Sequence, residues 1–438
     1  MQFSSLEFIF GFFPVFMIFY HFTPTSAKNI IIVTGSILFY GFCCADSLWA
    51  VVLLIFMTMF TYYVTLYVKD RPVLLFAGLG CMTAVLAFFK LYADGKFLPL
   101  GMSFYLFQMS AYLIDVYRGR AVTEKSLVKW SARVLMFPKL LSGPILKPSD
   151  WPAGPVRKKP LFRRGVEDFV LGLSMKVLLA DRLGGLWAKA TVVGYESLSV
   201  PMMWMALISF ALRLYMDFWS YSLMASGMGA MLGFRFPENF NDPYCARSVS
   251  EFYRRWHISL GSWFREYLYF PLGGSRKGRG RTALNLLAVW LVTGLWHGTG
   301  SNYLVWALVL VFFVIQEKLW LGKILNKYRV FSHVYTVAVI LLSWIPFAVP
   351  SFAQMITCLG RLFGLCGHAL NSGDVLSWGL GYLPYLAAGL VFASPLPGMV
   401  WRRFRGSMLS DCVLFMLFWF SIYMIASGAQ STFLYFQF

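Results

Sequence analysis

The sequence predicts an all-α polytopic membrane protein with about ten to twelve transmembrane helices, joined by short re-entrant and interfacial helices around a central cavity. Three observations carry this. Of 438 residues, 59% are hydrophobic and 13% charged, where a water-soluble domain carries roughly a quarter charged. The mean hydropathy is +0.65. Apolar runs long enough to approach the roughly 20 residues of a spanning helix recur along the chain. Their centres are Leu48–Val68, Pro72–Phe89, Val200–Tyr215, Asn302–Ile315, His333–Pro350 and Val413–Ala426.

Residues 1–96 read as about four spans, at Phe8–Phe22, Ile30–Cys44, Leu48–Val68 and Pro72–Phe89. The N-terminus lacks the basic region and small-residue cleavage site of a signal peptide, so the first run is expected to be a retained helix. Lys28 follows that run and places the N-terminus outside the cytoplasm by the positive-inside rule, although Lys90 and Lys96 blur the count.

Residues 97–320 differ in kind. Their apolar stretches are broken by Met136-Phe137-Pro138-Lys139, Ser142-Gly143-Pro144 and Pro271-Leu272-Gly273-Gly274. Irregular backbone at membrane depth is tolerated only where protein or a water-filled cavity surrounds it. Basic clusters flank this core at Arg157-Lys158-Lys159 with Arg163-Arg164, and at Arg276–Arg281, both expected on the cytoplasmic face. Residues 321–438 read as further spans with an interfacial piece near Ser351–Leu365. A third cluster, Arg402-Arg403-Phe404-Arg405, precedes the last span. No soluble domain, long linker or internal repeat is evident.

The net charge of +19 is foremost topogenic, and some of it could attract an anionic donor. Nucleic-acid binding is disfavoured, since no recognisable module accompanies the charge. Seven cysteines, Cys43, Cys81, Cys358 and Cys412 among them in apolar segments, follow no metal spacing and no disulfide framework.

Ionisable residues inside apolar segments are expensive and therefore functional candidates. Of five histidines, His21 and His333 sit at segment edges and His368 in a loop-like stretch; these read as structural. His297 ends a run of about 15 apolar residues, short for a span, inside Gly294-Leu295-Trp296-His297-Gly298-Thr299-Gly300. The chain is expected to break there within the bilayer and present an imidazole able to take a proton from a hydroxyl. His257 lies in Arg254-Arg255-Trp256-His257-Ile258-Ser259-Leu260, where basic and aromatic residues interleave as in an interfacial helix. Metal binding by the two histidines is weakly supported, because no carboxylate or cysteine set of zinc spacing accompanies them; paired haem ligation is a minor alternative. Asp217 and Asp115 are buried acids, expected in structural pairs, Asp217 with a partner such as Arg213. Gly233–Asn241 reads as a compact loop satisfied internally.

These words together resemble the membrane-bound O-acyltransferase family, in the bacterial branch of the alginate O-acetylation membrane subunit. They are Phe234–Phe240, Arg254–Leu260, Arg265-Glu266-Tyr267-Leu268-Tyr269-Phe270-Pro271-Leu272-Gly273-Gly274 and Gly294–Gly298. Weaker matches are Gly101–Phe104, Tyr112–Arg118, Lys176 with Asp181, and the terminal Phe433–Phe438. The resemblance implies one membrane-embedded acyltransferase domain over 1–438, with 97–320 as its catalytic core and a tunnel joining both faces. It implies that His297 is the catalytic base and His257 a second catalytic position. The donor would be acetyl-coenzyme A or a thioester-charged carrier reached from the cytoplasm. Arg254 and Arg255 are expected to face its phosphates, and Trp256 and Trp296 to shape the tunnel; no metal is expected. The acceptor would be an exported polysaccharide or an extracytoplasmic, esterase-like relay protein, and the setting a bacterial plasma membrane. Transfer of D-alanine or a long acyl chain is the rival within the enzyme class. A polysaccharide or lipid-intermediate transporter or flippase is the rival outside it.

Overall fold

The computed structural model describes residues 1–92, 98–151, 159–365, 372–428 and 433. Among these the chain is helical without strands, and seven helices are long and apolar enough to cross a membrane. They are Thr25–Cys43, Leu48–Tyr67, Pro72–Leu91, Ser301–Lys327, Arg329–Ala348, Val375–Phe392 and Met408–Ala426. The chain is a multi-pass membrane protein.

The first expected span is shorter than a full crossing. A six-residue π-helical turn, Glu7–Phe12, runs into a ten-residue helix, Phe13–Phe22, together about 24 Å against a hydrocarbon core of about 30 Å. Lys28 also departs from its expected role as a loop charge. It is 2% exposed, donates to the Tyr20 carbonyl at 2.8 Å and lies 3.7 Å from the Tyr20 ring centre. A cation folded into the protein is poor evidence for orientation, so the inference from Lys28 to an extracytoplasmic N-terminus loses its support.

The centre is the 32-residue helix Val200–Met231, buried over most of its surface. Its apolar residues are not confined to one stripe, as expected of a helix surrounded by protein. It packs against Lys159–Ser174 at backbone distance. A Cβ on Gly165 would lie 2.5 Å from the Gly227 carbonyl, and one on Gly227 would lie 2.6 Å from that of Gly165. Glycine at both positions lets two helices touch where lipid offers no hydrophobic drive to hold them.

About three turns further along, where Lys159–Ser174 runs on into Met175–Ala180, the Lys176 ammonium lies 2.7 Å from both Asp181 and Asp217, with all three side chains at most 4% exposed. Asp217 thus pairs with a lysine rather than with Arg213. The Phe433 ring sits 4.6 Å from the same ammonium, while Leu434–Phe438 of the terminal word lie outside the described residues. Breaking a buried ion pair typically costs about 3–5 kcal/mol, because the partner charges stay behind. Lys176→Met should therefore lower the melting temperature in detergent and the amount accumulating in membranes. An unchanged melting temperature would contradict this. Asp115 accepts a hydrogen bond from the Tyr267 hydroxyl at 2.7 Å, a neutral partner rather than an ion pair.

The amphipathic Phe352–Leu362 helix occupies the expected interfacial stretch. Of the basic loops, Arg157 and Lys158 lie outside the described residues, as does His368. Arg163 and Arg164 face Glu167 and Asp168 one turn on, at 3.4 and 3.6 Å.

Candidate active site

His297 is the last residue of the 20-residue helix Gly278–His297. The helix begins four residues before the apolar run at Thr282, because Gly278–Arg281 supply a polar first turn. The chain then breaks over Gly298–Gly300 and returns as Ser301–Gln316. Tight packing requires glycine in this break and one turn before it. A Cβ on Gly298 would lie 2.3 Å from the Tyr303 ring, and one on Gly294 2.9 Å from the Tyr303 carbonyl. The imidazole is 7% exposed and stands in an aromatic enclosure, with Trp296 at 4.5 Å, Trp306 at 5.0 Å and Phe347 at 5.2 Å between ring centres.

His257 sits between two seven-residue helices, Val249–Arg255 and Ile258–Phe264. Its φ of 45° and ψ of 55° are left-handed, a conformation uncommon for a side chain of this size and held here by the surrounding structure. The preceding helix is fixed from afar. Glu317 accepts from the backbone N–H groups of Val249 and Ser250 at 2.6 and 2.9 Å and from the Ser250 hydroxyl at 2.7 Å. A carboxylate at a helix N-terminus satisfies otherwise orphaned donors.

Asn239 determines the tautomer of His257. Its Oδ1 accepts from the Ser259 backbone N–H at 3.2 Å and the Ser259 hydroxyl at 2.9 Å, and stands 3.1 Å from His257 Nδ1. A backbone N–H can only donate, so the Asn239 atom is the acceptor oxygen and Nδ1 must carry the hydrogen. In the neutral ring, Nε2 is then the nitrogen able to accept a proton. Asn239 Nδ2 donates to Ser222 at 3.1 Å, tying the loop to the central helix. Sequence reasoning placed Asn239 in a self-satisfied loop and missed this role, since its partner lies 18 residues away with no local signal joining them.

One cavity of about 340 Å³ unites His297, His257, Trp256 and Arg254. Trp306, Trp344 and Phe347 line its apolar part, while Arg254, Arg265 and Lys318, all exposed, mark its opening. Among the described residues none of these three cations has a carboxylate partner; Lys318 reaches the Tyr269 hydroxyl at 3.3 Å. Arg255 and Trp296 lie outside the lining. The Arg255 guanidinium is tied to Glu251 at 2.8 and 3.0 Å, and the Trp296 ring packs on Phe104 and Phe107 at 6.2 and 5.8 Å. The cavity therefore joins a cationic opening to two buried imidazoles, an arrangement that can hold an anionic donor by its charged end and deliver its uncharged end to a base. Among the described residues no three His, Cys, Asp or Glu side chains converge as a metal site.

The family model of the membrane-bound O-acyltransferases matches residues 120–356, just over half of the chain and all of this cavity. A Pseudomonas putida protein named as a probable alginate O-acetylase is 30% identical over the full length of both chains. A peptidoglycan O-acetyltransferase of Helicobacter pylori is 29% identical, covering 84% of this chain and 81% of its own. A teichoic acid D-alanyltransferase of Lacticaseibacillus rhamnosus is 28% identical over 51% of this chain and 59% of its own.

Proposed function

This chain belongs to the membrane-bound O-acyltransferase family, in its alginate O-acetylase-like branch, as an O-acetyltransferase of a bacterial membrane; we propose that it carries an acetyl group from a cytoplasmic thioester, acetyl-coenzyme A or a charged carrier, to a hydroxyl on an exported polysaccharide or on an extracytoplasmic relay protein. The observation that carries this reading is the single cavity that leads from Arg254, Arg265 and Lys318 to His257 and His297. Phosphate oxygens of the donor meet the cations, and the arm extends inward past Trp256. The Pseudomonas putida and Helicobacter pylori relatives, each matched over more than four-fifths of this chain, bear O-acetylation names, whereas the D-alanylating one is matched over half.

His297 takes the proton of the acceptor hydroxyl as its oxygen attacks the thioester carbonyl. The tetrahedral intermediate collapses with cleavage of the carbon–sulfur bond, and the imidazolium returns the proton to the departing thiolate. The thioester supplies the reactivity, while the protein supplies position and exclusion of water. His257, with Nε2 as its acceptor nitrogen, supports the same site from the opposite helix pair.

The test is transfer of labelled acetyl from acetyl-coenzyme A by the purified protein with a polysaccharide or candidate relay protein. The variant Arg254→Gln/Arg265→Gln/Lys318→Gln should raise the donor KM roughly ten- to a hundredfold, since charge-assisted hydrogen bonds are worth about 1.5–3 kcal/mol each and do not add fully. Added salt should raise the KM of the unmodified protein in the same direction. An unchanged donor KM in the variant would place donor entry elsewhere. D-alanyl transfer in place of acetyl would revise the acyl group while leaving the route intact.

A further inference from the structure

The spanning helix Pro72–Leu91 ends in a π-helical turn that carries Lys90. A lysine near the end of a span ordinarily extends toward the lipid headgroups. Lys90 instead turns inward: its ammonium donates to the backbone carbonyl of Trp296 and lies 5.8 Å from the Trp296 ring centre. The bonded residues are 206 positions apart. Among the described residues this ammonium has no carboxylate partner.

The accepting carbonyl is significant because the helix ends one residue later. The last four carbonyls of a helix lack intrahelical partners. Gly298 N–H returns only to the Gly294 carbonyl, at 3.2 Å, so the Trp296 carbonyl depends on a donor from outside the helix. A cation at a helix C-terminus also meets the negative end of the macrodipole. The peptide held in this way is the one that joins Trp296 to His297.

We propose that Lys90 is a positioning residue for acyl transfer, capping the broken end of the Gly278–His297 helix and fixing the backbone from which the His297 imidazole enters the cavity. It acts through the Trp296 peptide and lies outside the cavity lining. The inference rests on His297 as the base.

The experiment compares acetyl transfer by the unmodified protein, Lys90→Met, Lys90→Arg and His297→Ala, prepared from the same membranes with the same acceptor. Lys90→Met should lower kcat roughly ten- to a hundredfold, the range expected for a lost hydrogen bond to a charged group, with donor KM within about twofold. Lys90→Arg should restore most of the rate. If kcat of Lys90→Met stays within about twofold, if only KM moves, or if arginine gives no rescue, the proposal is overturned. Should Lys90→Met fail to accumulate, Lys90→Gln, whose shorter and uncharged amide is a weaker donor for the carbonyl, should accumulate with a kcat below that of Lys90→Arg, and a kcat equal to that of Lys90→Arg would overturn the proposal; failure of both to accumulate would make Lys90 structural and overturn the positioning role. An active His297→Ala would sink the base assignment itself. An inactive His297→Ala beside a normal Lys90→Met would sink only the role of Lys90.

Discussion

His297→Ala should reduce kcat for acetyl transfer about a hundredfold to ten-thousandfold, the usual contribution of a positioned general base, while the protein still inserts and migrates as a monodisperse species. Donor KM should change little, because the cations that hold the donor lie at the cavity opening and the imidazole acts on the acceptor proton. The folding expectation has a structural reason. The ring is enclosed by Trp296, Trp306 and Phe347, and removing it leaves a gap beside an existing cavity. Such a gap costs stability in proportion to its unfilled volume. Transfer assayed with labelled acetyl-coenzyme A at saturating donor reads the effect directly. A rate within a few fold of the unmodified protein would make His297 a packing residue and remove the proposed chemistry. Loss of donor binding with an unchanged maximal rate would instead assign it to the donor site.

Much of this site was legible because its signals are local. The Gly294–Gly300 word announced a helix that breaks with an imidazole at its end, and the structure ends that helix at His297. Arg254, Trp256 and His257 were found together because a turn between two short helices keeps them together in sequence. What escaped notice was decided by partners distant along the chain. Arg255 looked equivalent to Arg254, yet a carboxylate one turn earlier, Glu251, draws it aside. Arg265 and Lys318 join the opening from two other helices. Lys90 and Lys28 read as edge charges of spans, where composition cannot distinguish a lysine reaching lipid headgroups from one folded onto a carbonyl. The first helix illustrates the same limit: hydropathy marks Phe8–Phe22 as apolar, but its length places it short of a crossing.

Asn239 offers the second large effect, because three donors on two residues depend on its single carboxamide oxygen. Asn239→Leu preserves the approximate volume and removes the acceptor for His257 Nδ1, the Ser259 N–H and the Ser259 hydroxyl. The strained left-handed residue His257 then loses the contact that sets its tautomer, and a buried backbone donor loses its partner, a penalty of about 1–3 kcal/mol. The expected result is a kcat lowered about ten- to a hundredfold, the range those energies span. The melting temperature should fall in Asn239→Leu through the lost buried hydrogen bonds and in His257→Ala through the gap left by a buried ring, the latter leaving Asn239 bonded to Ser259. The two substitutions act on one element, so their effects should be strongly non-additive, with the double variant little slower than His257→Ala alone. Asn239→Asp separates geometry from charge. It keeps an acceptor in place but puts an ionisable group in a buried site, and should retain more of the rate than leucine does. Additive losses in the cycle would mean that Asn239 supports folding independently of His257. The latter would then owe its orientation to the enclosing rings of Phe218 and Phe104, at 4.6 and 6.2 Å, rather than to the carboxamide.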